Sequence, residues 1–176
     1  MVPILVMLLS LLVPGGPAQA VPACLLPPVV APVVDPFRDP GCEWCPGNRG
    51  IQYGAAPGAP VQAAAAGTVA FAGLVAGTRY VVVDHAVGDL RATYGGLGSG
   101  AVAVGDVVAA GQVVGTVGDD GLHFGLRRSD TYVDPAPLVG RLVARPRLVP
   151  TDGTGRRPAP PPRLRCNGVP PAAAAG

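Results

Sequence analysis

The sequence predicts an all-β fold built from antiparallel strands, and three observations support this. The chain of 176 residues contains 26 glycines and 22 prolines, 48 residues in all, and both residue types disfavour helix interiors. Apolar residues alternate with a period of two rather than 3.6. Turn residues recur at roughly 8–12-residue intervals, a spacing typical of sandwiches and barrels. The hydrophobic fraction of 49% is sufficient for the core of one domain.

The strand-like segments follow one another between glycine-rich turns. The β-branched run 80–84 is apolar enough to be buried on both faces, and most of the others alternate. The four consecutive alanines at 63–66 have high helix propensity, but such a short run before a glycine is equally compatible with a strand or a bend. The predicted strands are 67–72, 80–84, 90–94, 102–108 (with a Gly-Asp turn inside it), 112–117, 122–127 and 131–133.

The N-terminus has the features of a secretory signal peptide over residues 1–20. The apolar run 4–13 is too short to span a bilayer, whose hydrocarbon core is about 30 Å thick. A Pro-Gly-Gly-Pro break and the small residues of Ala18-Gln19-Ala20 then suit cleavage after Ala20, although no Lys or Arg precedes the run. We therefore expect a secreted, extracytoplasmic protein of the cell envelope with no membrane span after cleavage. An N-terminal strand, or lipidation at Cys24, would be the alternatives.

Composition divides the rest of the chain into three parts. Residues 21–34 form a Pro/Val-rich leader that we expect to be extended, and residues 35–140 hold the periodic pattern of the β domain. Residues 141–176 form a tail rich in Pro and Arg, which we expect to be extended, polyproline-like and mostly unpacked apart from Cys166.

Four cysteines in an exported chain indicate two disulfides, and four cysteines allow three pairings. We favour Cys24–Cys166, which would join the two ends of the mature chain, together with the tight pair Cys42–Cys45. For the latter pair, a redox site or two zinc thiolates are the alternatives. A redox pair is usually found at a helix start in a βαβ setting, and the Pro-Gly that follows Cys45 does not begin a helix.

The composition also excludes several kinds of chemistry. All 13 basic residues are arginine, so Schiff-base chemistry, a phosphate-binding lysine and lysine-attached cofactors are ruled out. A net charge of +2 without a dense basic stretch predicts no nucleic-acid binding. The only histidines are His85 and His123. Any metal or acid–base site that depends on imidazole is therefore limited to two rings.

Three blocks of sequence carry a specific resemblance. The first is NRGIQ at 48–52, continued by 55–63 and 67–69. The second joins YVVVDH at 80–85 to TYGGL at 93–97, and the third joins the hairpin sequence 104–115 to GLHF at 121–124 and YVDP at 132–135. In this order they resemble the lysostaphin-type (LytM-type) zinc peptidases, which cut the peptide cross-links of bacterial peptidoglycan. The resemblance extends over about residues 35–140.

The resemblance implies a compact all-β barrel-sandwich of two sheets, the duplicated hybrid motif. Biotinyl and lipoyl carrier domains share the hairpin at 104–115, but a carrier needs a lysine at the hairpin tip and this chain has none. The carrier alternative is therefore excluded by composition.

The same resemblance implies a zinc site whose residues are mostly missing here. In the family a His, an Asp four residues later and the second His of a His-x-His pair hold zinc, and two further histidines assist. These positions fall on Asn48, Gln52 and His123, and the assisting ones on Gly96 and Gly121. Catalytic zinc needs three ligands from His, Asp, Glu or Cys. We therefore expect a degenerate site with no catalytic residues and no zinc, in which His123 is a vestigial ligand.

Other side chains could contribute to such a site. We expect Arg49 and Tyr94 to lie in the former substrate groove. Cys42 and Cys45 together with His123 would make a three-ligand zinc site if the two thiols were free. The remaining candidates have more ordinary interpretations: solvated turn acids for Asp119 and Asp120, and a structural residue for His85.

Three functions follow from these observations. The first is a secreted pseudoenzyme that binds peptidoglycan or regulates a wall hydrolase. The second is an active zinc endopeptidase that cuts peptidoglycan cross-links with atypical ligands. The third is a structural, disulfide-linked module whose tail contacts the wall. The composition and the lost site residues favour the first.

Overall fold

A computed structural model describes residues 24–42, 44–145, 158 and 160–166, so the predicted signal peptide lies outside the described residues. Within the described residues the chain forms twelve strands and one short 3₁₀ turn, Val87–Asp89. The strands are β1 (Val33–Asp35), β2 (Ile51–Tyr53), β3 (Pro60–Gln62), β4 (Gly67–Val75), β5 (Thr78–His85), β6 (Leu90–Gly100), β7 (Val107–Val108), β8 (Val113–Val117), β9 (Leu122–Arg128), β10 (Thr131–Val133), β11 (Arg141–Val143) and β12 (Arg163–Arg165).

The first ten strands form one antiparallel sheet, which confirms the predicted all-β class. The order along the sheet is β1-β2-β9-β6-β5-β4-β7, with β10 beside β9 and with β8 between β3 and β6. β11 and β12 form a separate antiparallel pair. No helix among the described residues has the length and apolar character needed to cross a bilayer.

The sheet bends at the middle of β6, its longest strand. Residues 90–95 pair with β9, whereas Leu97, Ser99 and Gly100 pair with β8 on the same side. The change of partner occurs at Gly96, which has φ of +76°. Glycine adopts this left-handed conformation without the steric cost that a Cβ brings. The bend lets β8 and β3 fold over the apolar face of the main sheet.

The core lies inside this fold and consists mainly of valines, leucines and alanines, with two aromatic rings in tilted contact. Tyr94 and Phe124 are fully buried, with ring centroids 5.3 Å apart. The Tyr94 hydroxyl accepts a hydrogen bond from the Ala64 amide at 2.8 Å. The alanines at 63–66 form a bend rather than a helix, and Ala63 and Ala64 are buried in the core.

The described parts of the leader and of the tail make contacts that the composition does not predict. Leu25 is fully buried, and its amide donates to the Leu138 carbonyl at 2.9 Å while its own carbonyl accepts from Gly140 at 2.8 Å. Val29 is also part of the core. In the tail, β12 pairs with β11, so the expectation of a mostly unpacked tail is wrong for residues 163–165. The leader is held because its backbone groups bond to the domain, whereas β12 is held by β11, another segment of the tail.

Both predicted disulfides are confirmed. Cys24 pairs with Cys166 across a Cα–Cα distance of 5.8 Å, and Cys42 pairs with Cys45 across 5.1 Å, both within the range typical of disulfides. The described residues contain no free cysteine. With both sulfurs engaged, Cys42 and Cys45 are not zinc thiolates in this structure.

We predict that Leu25→Ala destabilises the protein by about 2–4 kcal/mol, because it removes a fully buried side chain from a packed core. The measurement is the free energy of unfolding from denaturant titration of the oxidised protein. Val30→Ala is the control, since Val30 is 85% exposed and should change stability by less than about 0.5 kcal/mol. Equal effects of the two substitutions would show that the leader does not contribute to the core.

Candidate functional site

The candidate site lies on the solvent-facing side of strands β2, β9 and β6. His123 in β9 pairs with Gln52 in β2 on one side and with Gly95 in β6 on the other. Directly paired residues of neighbouring strands project from the same face of a sheet. The alternate residues, such as Ile51 and Phe124, are buried on the core side. The fold therefore brings two of the predicted ligand positions, Gln52 and His123, side by side.

The imidazole of His123 lies over backbone that carries no side chain. A Cβ added to Gly50 would lie 2.8 Å from both Cε1 and Nε2 of the ring, and a Cβ on Gly125 would lie 3.4 Å from Nε2. On the other side of His123, the Tyr80 ring covers Gly95 at 2.5 Å from the corresponding Cβ position. His123 is half-buried, and this burial lowers the pKa of its imidazole, which favours the neutral form.

The Asn48 side chain binds the segment that precedes the domain. Its Nδ2 donates to Asp35 Oδ2 at 3.2 Å and to the Pro36 carbonyl at 3.0 Å. Arg38 forms an ion pair with the same Asp35 carboxylate and exchanges two backbone hydrogen bonds with Asn48, at 2.9 and 3.0 Å. The hydrogen bond from Arg38 holds the pKa of Asp35 below its usual value. Asn48 is therefore part of a structural cluster that fixes the start of the domain.

The remaining predicted positions also have structural roles. Gln52 Nε2 donates to the Asp120 carbonyl at 3.2 Å, which ties β2 to the turn before β9. Gly121 has φ of +80°, and a Cβ there would lie 2.5 Å from the Tyr53 carbonyl oxygen. A Cβ on Gly96 would lie 2.8 Å from the carbonyl oxygen of Gly121. Neither glycine has room for a histidine without movement of the backbone.

These donors do not match a catalytic zinc site. Its protein ligands come from His, Asp, Glu or Cys, whereas this arrangement offers one imidazole and the neutral amides of Asn48 and Gln52. Both amide nitrogens are already bound to backbone or carboxylate oxygens. Within the described part of the chain, no group of three or more His, Cys, Asp and Glu side chains is arranged to hold a metal ion.

Residues 46–135 match the model of peptidase family M23. The chain belongs to peptidase family M23. This confirms the family that the sequence motifs indicated, since a similar structure, a putative M23 peptidase from Pseudomonas aeruginosa, shares 30% identity and a TM-score of 0.55 over 70% of this chain and 52% of that one. Csd3 of Helicobacter pylori, at 28% identity and a TM-score of 0.58, is similar over 66% of this chain and 35% of its own.

Curated relatives are longer than this M23 chain. An uncharacterized protein of Mycobacterium tuberculosis is 38% identical over 137 residues, which cover 70% of this chain and 53% of that protein. The murein hydrolase activator EnvC of Escherichia coli is 39% identical over 100 residues, which cover 53% of this chain and 24% of EnvC. The chain thus spans about half or less of the length of these relatives.

Not every side chain predicted for the groove lies there. Tyr94 is fully buried and hydrogen-bonded to Ala64, so its assignment to the groove is wrong: it points to the core side of β6. Arg49 is half-buried at the edge of the M23 site, with its guanidinium 5.7 Å from the Tyr132 ring. Asp119 and Asp120 are exposed, as expected for turn acids. His85 is a buried structural residue.

A cleft of about 870 Å³ lies beside the candidate site and was not predicted from the sequence. Three of its lining residues are Trp44, Arg127 and Tyr132, and Arg49 contributes a fourth. Trp44 is the chain's only tryptophan and stands between two cysteines, and that position was the signal that could have drawn attention to it. Arg127 and Tyr132 gave no such signal, because only the pairing of β9 with β10 brings them together.

We predict that Gly121→Ala destabilises the M23 domain by about 2–5 kcal/mol. The left-handed backbone alone costs about 1–2 kcal/mol for a residue with a Cβ, and the contact with the Tyr53 carbonyl adds an overpacking cost of about 1–3 kcal/mol. The matched control is Gly58→Ala, because Gly58 has nearly the same φ of +81° but nothing within 4 Å of its Cβ position. Thermal and denaturant unfolding of both variants would measure the difference, and equal losses would contradict the packing argument.

The buried imidazole of His85 leads to a prediction of how the stability of the protein depends on pH. Its Nδ1 lies 3.1 Å from the Ala66 carbonyl, while Nε2 is buried without a partner among the described residues. Burial lowers the pKa of His85, although the Asp84 charge partly opposes this. The unfolded chain, in which His has a pKa of about 6.5, therefore binds more protons as the pH falls. The contribution of His85 to the free energy of unfolding should therefore be constant above about pH 6.5 and should decrease as the pH falls below that value.

The measurement is the free energy of unfolding between about pH 7.5 and 5, combined with NMR titration of both imidazoles. His85→Gln should reduce the slope of stability against pH, since glutamine does not titrate. A slope that is the same in both proteins would assign the pH dependence to other groups.

Proposed function

We propose that this chain is a secreted cell-envelope protein whose M23 domain is a binding or regulatory module rather than a zinc peptidase. One observation carries the proposal: the M23 scaffold is intact, while the positions that serve zinc chemistry hold Asn48, Gln52, Gly96 and Gly121. These residues make backbone and leader contacts instead. The substitutions thus support the fold but not the reaction.

The chemistry of the site supports the same proposal. Hydrolysis of a peptide bond by this family type requires a metal that lowers the pKa of bound water to about 7. A single half-buried imidazole does not replace that metal, and none of the side chains beside His123 is a titratable base positioned to accept a proton. We therefore propose that the protein has no peptidase activity and no bound zinc.

The proposed ligand is peptidoglycan, with regulation of a wall hydrolase as the alternative use of the same domain. The M23 scaffold supports the first, because the sequence family to which it is similar acts on peptidoglycan peptides. The relative named as a murein hydrolase activator supports the second. Because this chain covers 24% of EnvC, that activity is a proposal here.

We predict that the secreted, oxidised protein contains only substoichiometric zinc by elemental analysis, and that it sediments with purified peptidoglycan sacculi without releasing soluble fragments. His123→Ala is the test of the atypical endopeptidase, because that enzyme would lose its release of fragments when the imidazole is removed. A zinc-containing M23 peptidase assayed in parallel is the positive control. About one tightly held zinc per chain, with chelator-sensitive release of fragments, would instead establish the atypical endopeptidase.

The tail is tested in the same experiment. Arg156→Gln/Arg157→Gln removes two charges of the 141–176 tail without disturbing Cys166. Unchanged sedimentation would support binding through the domain, whereas its loss would establish the structural module that contacts the wall through its tail.

Regulation of a hydrolase is tested by adding the protein to a digest of sacculi by a purified amidase. A regulator would make the release of fragments faster.

A further inference from the structure

The cleft beside the former zinc site presents an exposed tryptophan on a disulfide-closed loop. Trp44 is 89% exposed, although it lies in the short loop closed by the Cys42–Cys45 disulfide, where the Cys45 amide also bonds to the Cys42 carbonyl at 3.3 Å. A large apolar ring on a constrained loop loses little conformational entropy when a ligand covers it. Trp, Tyr and Arg are also the residues that most often dominate binding energy.

The wall of the cleft combines two cations with one aromatic ring. The guanidinium carbons of Arg127 and Arg49 lie 4.8 and 5.7 Å from the centre of the Tyr132 ring. Arg127 donates to the Asp130 carbonyl at 3.1 Å, but its Nε is buried without a hydrogen-bond partner among the described residues. A buried donor left unpaired carries an energetic cost that a ligand can remove. The cleft wall therefore offers two guanidinium groups beside an aromatic ring.

The charges that line the cleft restrict the kind of ligand. Besides the two arginines, Asp39 and Asp130 also line it, so the formal charges of its described lining residues are balanced. The two aspartates would repel the many charges of a polyanion. A ligand that has one carboxylate on a neutral or mixed-charge backbone would meet less repulsion. Guanidinium groups bind carboxylates in a bidentate manner with favourable geometry, and the aromatic rings fit the apolar part of a peptide.

We propose that this cleft binds a peptide through a free carboxylate, which Arg127 and Arg49 hold while Trp44 and Tyr132 pack against the adjoining residues. The cleft is distinct from the former zinc site, because none of Asn48, Gln52 and His123 lines it. Arg127 follows His123 by four residues in β9, a distance of about 13 Å along a strand. The inference rests on the proposed function, since the stem peptides of peptidoglycan are carboxylate-bearing peptides of this class.

The single tryptophan makes the cleft directly observable, because its fluorescence reports on no other site. The probe is a peptidoglycan stem tetrapeptide with free carboxylates, compared with the same peptide with every carboxylate amidated. We expect a saturable change in emission with the free acid and roughly tenfold weaker binding of the amide, the loss expected for a charge-assisted hydrogen bond. Arg127→Gln should weaken binding of the free-acid peptide by a similar factor. Arg128→Gln, a change at the next residue, which does not line the cleft, should not.

Circular dichroism and thermal unfolding would confirm that each variant is folded before it is titrated. Equal binding of the acid and the amide, or of wild type and Arg127→Gln, would overturn the proposal. No change in Trp44 emission, in a protein that still sediments with sacculi, would overturn this cleft but leave the proposed function standing. Peptide binding in a protein that does not sediment with sacculi would support the cleft and contradict the wall role.

Discussion

Close backbone packing of β9 between β2 and β6 is the constraint on which the site face depends. Where His123 crosses this face, Gly50 and Gly125 lie under its ring and Gly95 lies beside it. A Cβ at Gly50 would collide with the imidazole and with the Phe124 carbonyl, and one at Gly95 would collide with the Tyr80 ring. The glycines therefore let the two rings lie close against the strands. His123 thus has a packing role that does not depend on a metal.

Close backbone packing also leaves little room for a histidine at Gly96 and Gly121, the two positions to which the family resemblance assigns the assisting histidines. Gly96 and Gly121 both have positive φ, and each Cβ position points at a carbonyl oxygen of the opposing backbone. The turn before β9 is closed by a bridge between Gly118 and Gly121 and by the bond from the Gly118 amide to the Gly96 carbonyl at 2.8 Å. Backbone thus occupies the space that a larger side chain at either position would need.

The sequence predicted the parts of the fold that depend on local pattern. The long alternating or β-branched runs became β4, β5 and β9, and the two disulfides formed as expected. The three-residue strands β1, β2 and β3 were missed as strands, because so few residues show no periodicity, although the motif blocks placed β2 at the site. Leu25 looked like part of a loose leader, since only its tertiary contacts reveal its burial.

The sequence predicted which residues of the candidate site lie next to each other better than it predicted which face they occupy. Motif spacing placed Gln52 next to His123, which the β2–β9 register bears out. It could not tell that Tyr94 points inward, because the face that a strand residue occupies depends on register and sheet curvature. The cleft around Trp44 was invisible for a related reason: it joins a disulfide loop to residues more than 80 positions later in the chain, Arg127 and Tyr132.

Asn48, which the family resemblance places at a zinc-ligand position, also contacts the base of the loop that lines the cleft. Its two backbone hydrogen bonds with Arg38 close the base of the loop that carries Cys42, Trp44 and Cys45. Its side-chain amide binds Asp35 and Pro36 on the incoming chain, contacts that a zinc-bound imidazole could not make at the same time. The backbone at position 48 therefore closes the loop, while the side-chain amide fixes the incoming chain, and the next residue, Arg49, lies against the Tyr132 ring. An amide side chain at this position thus serves the packing of the incoming segment next to the aromatic loop.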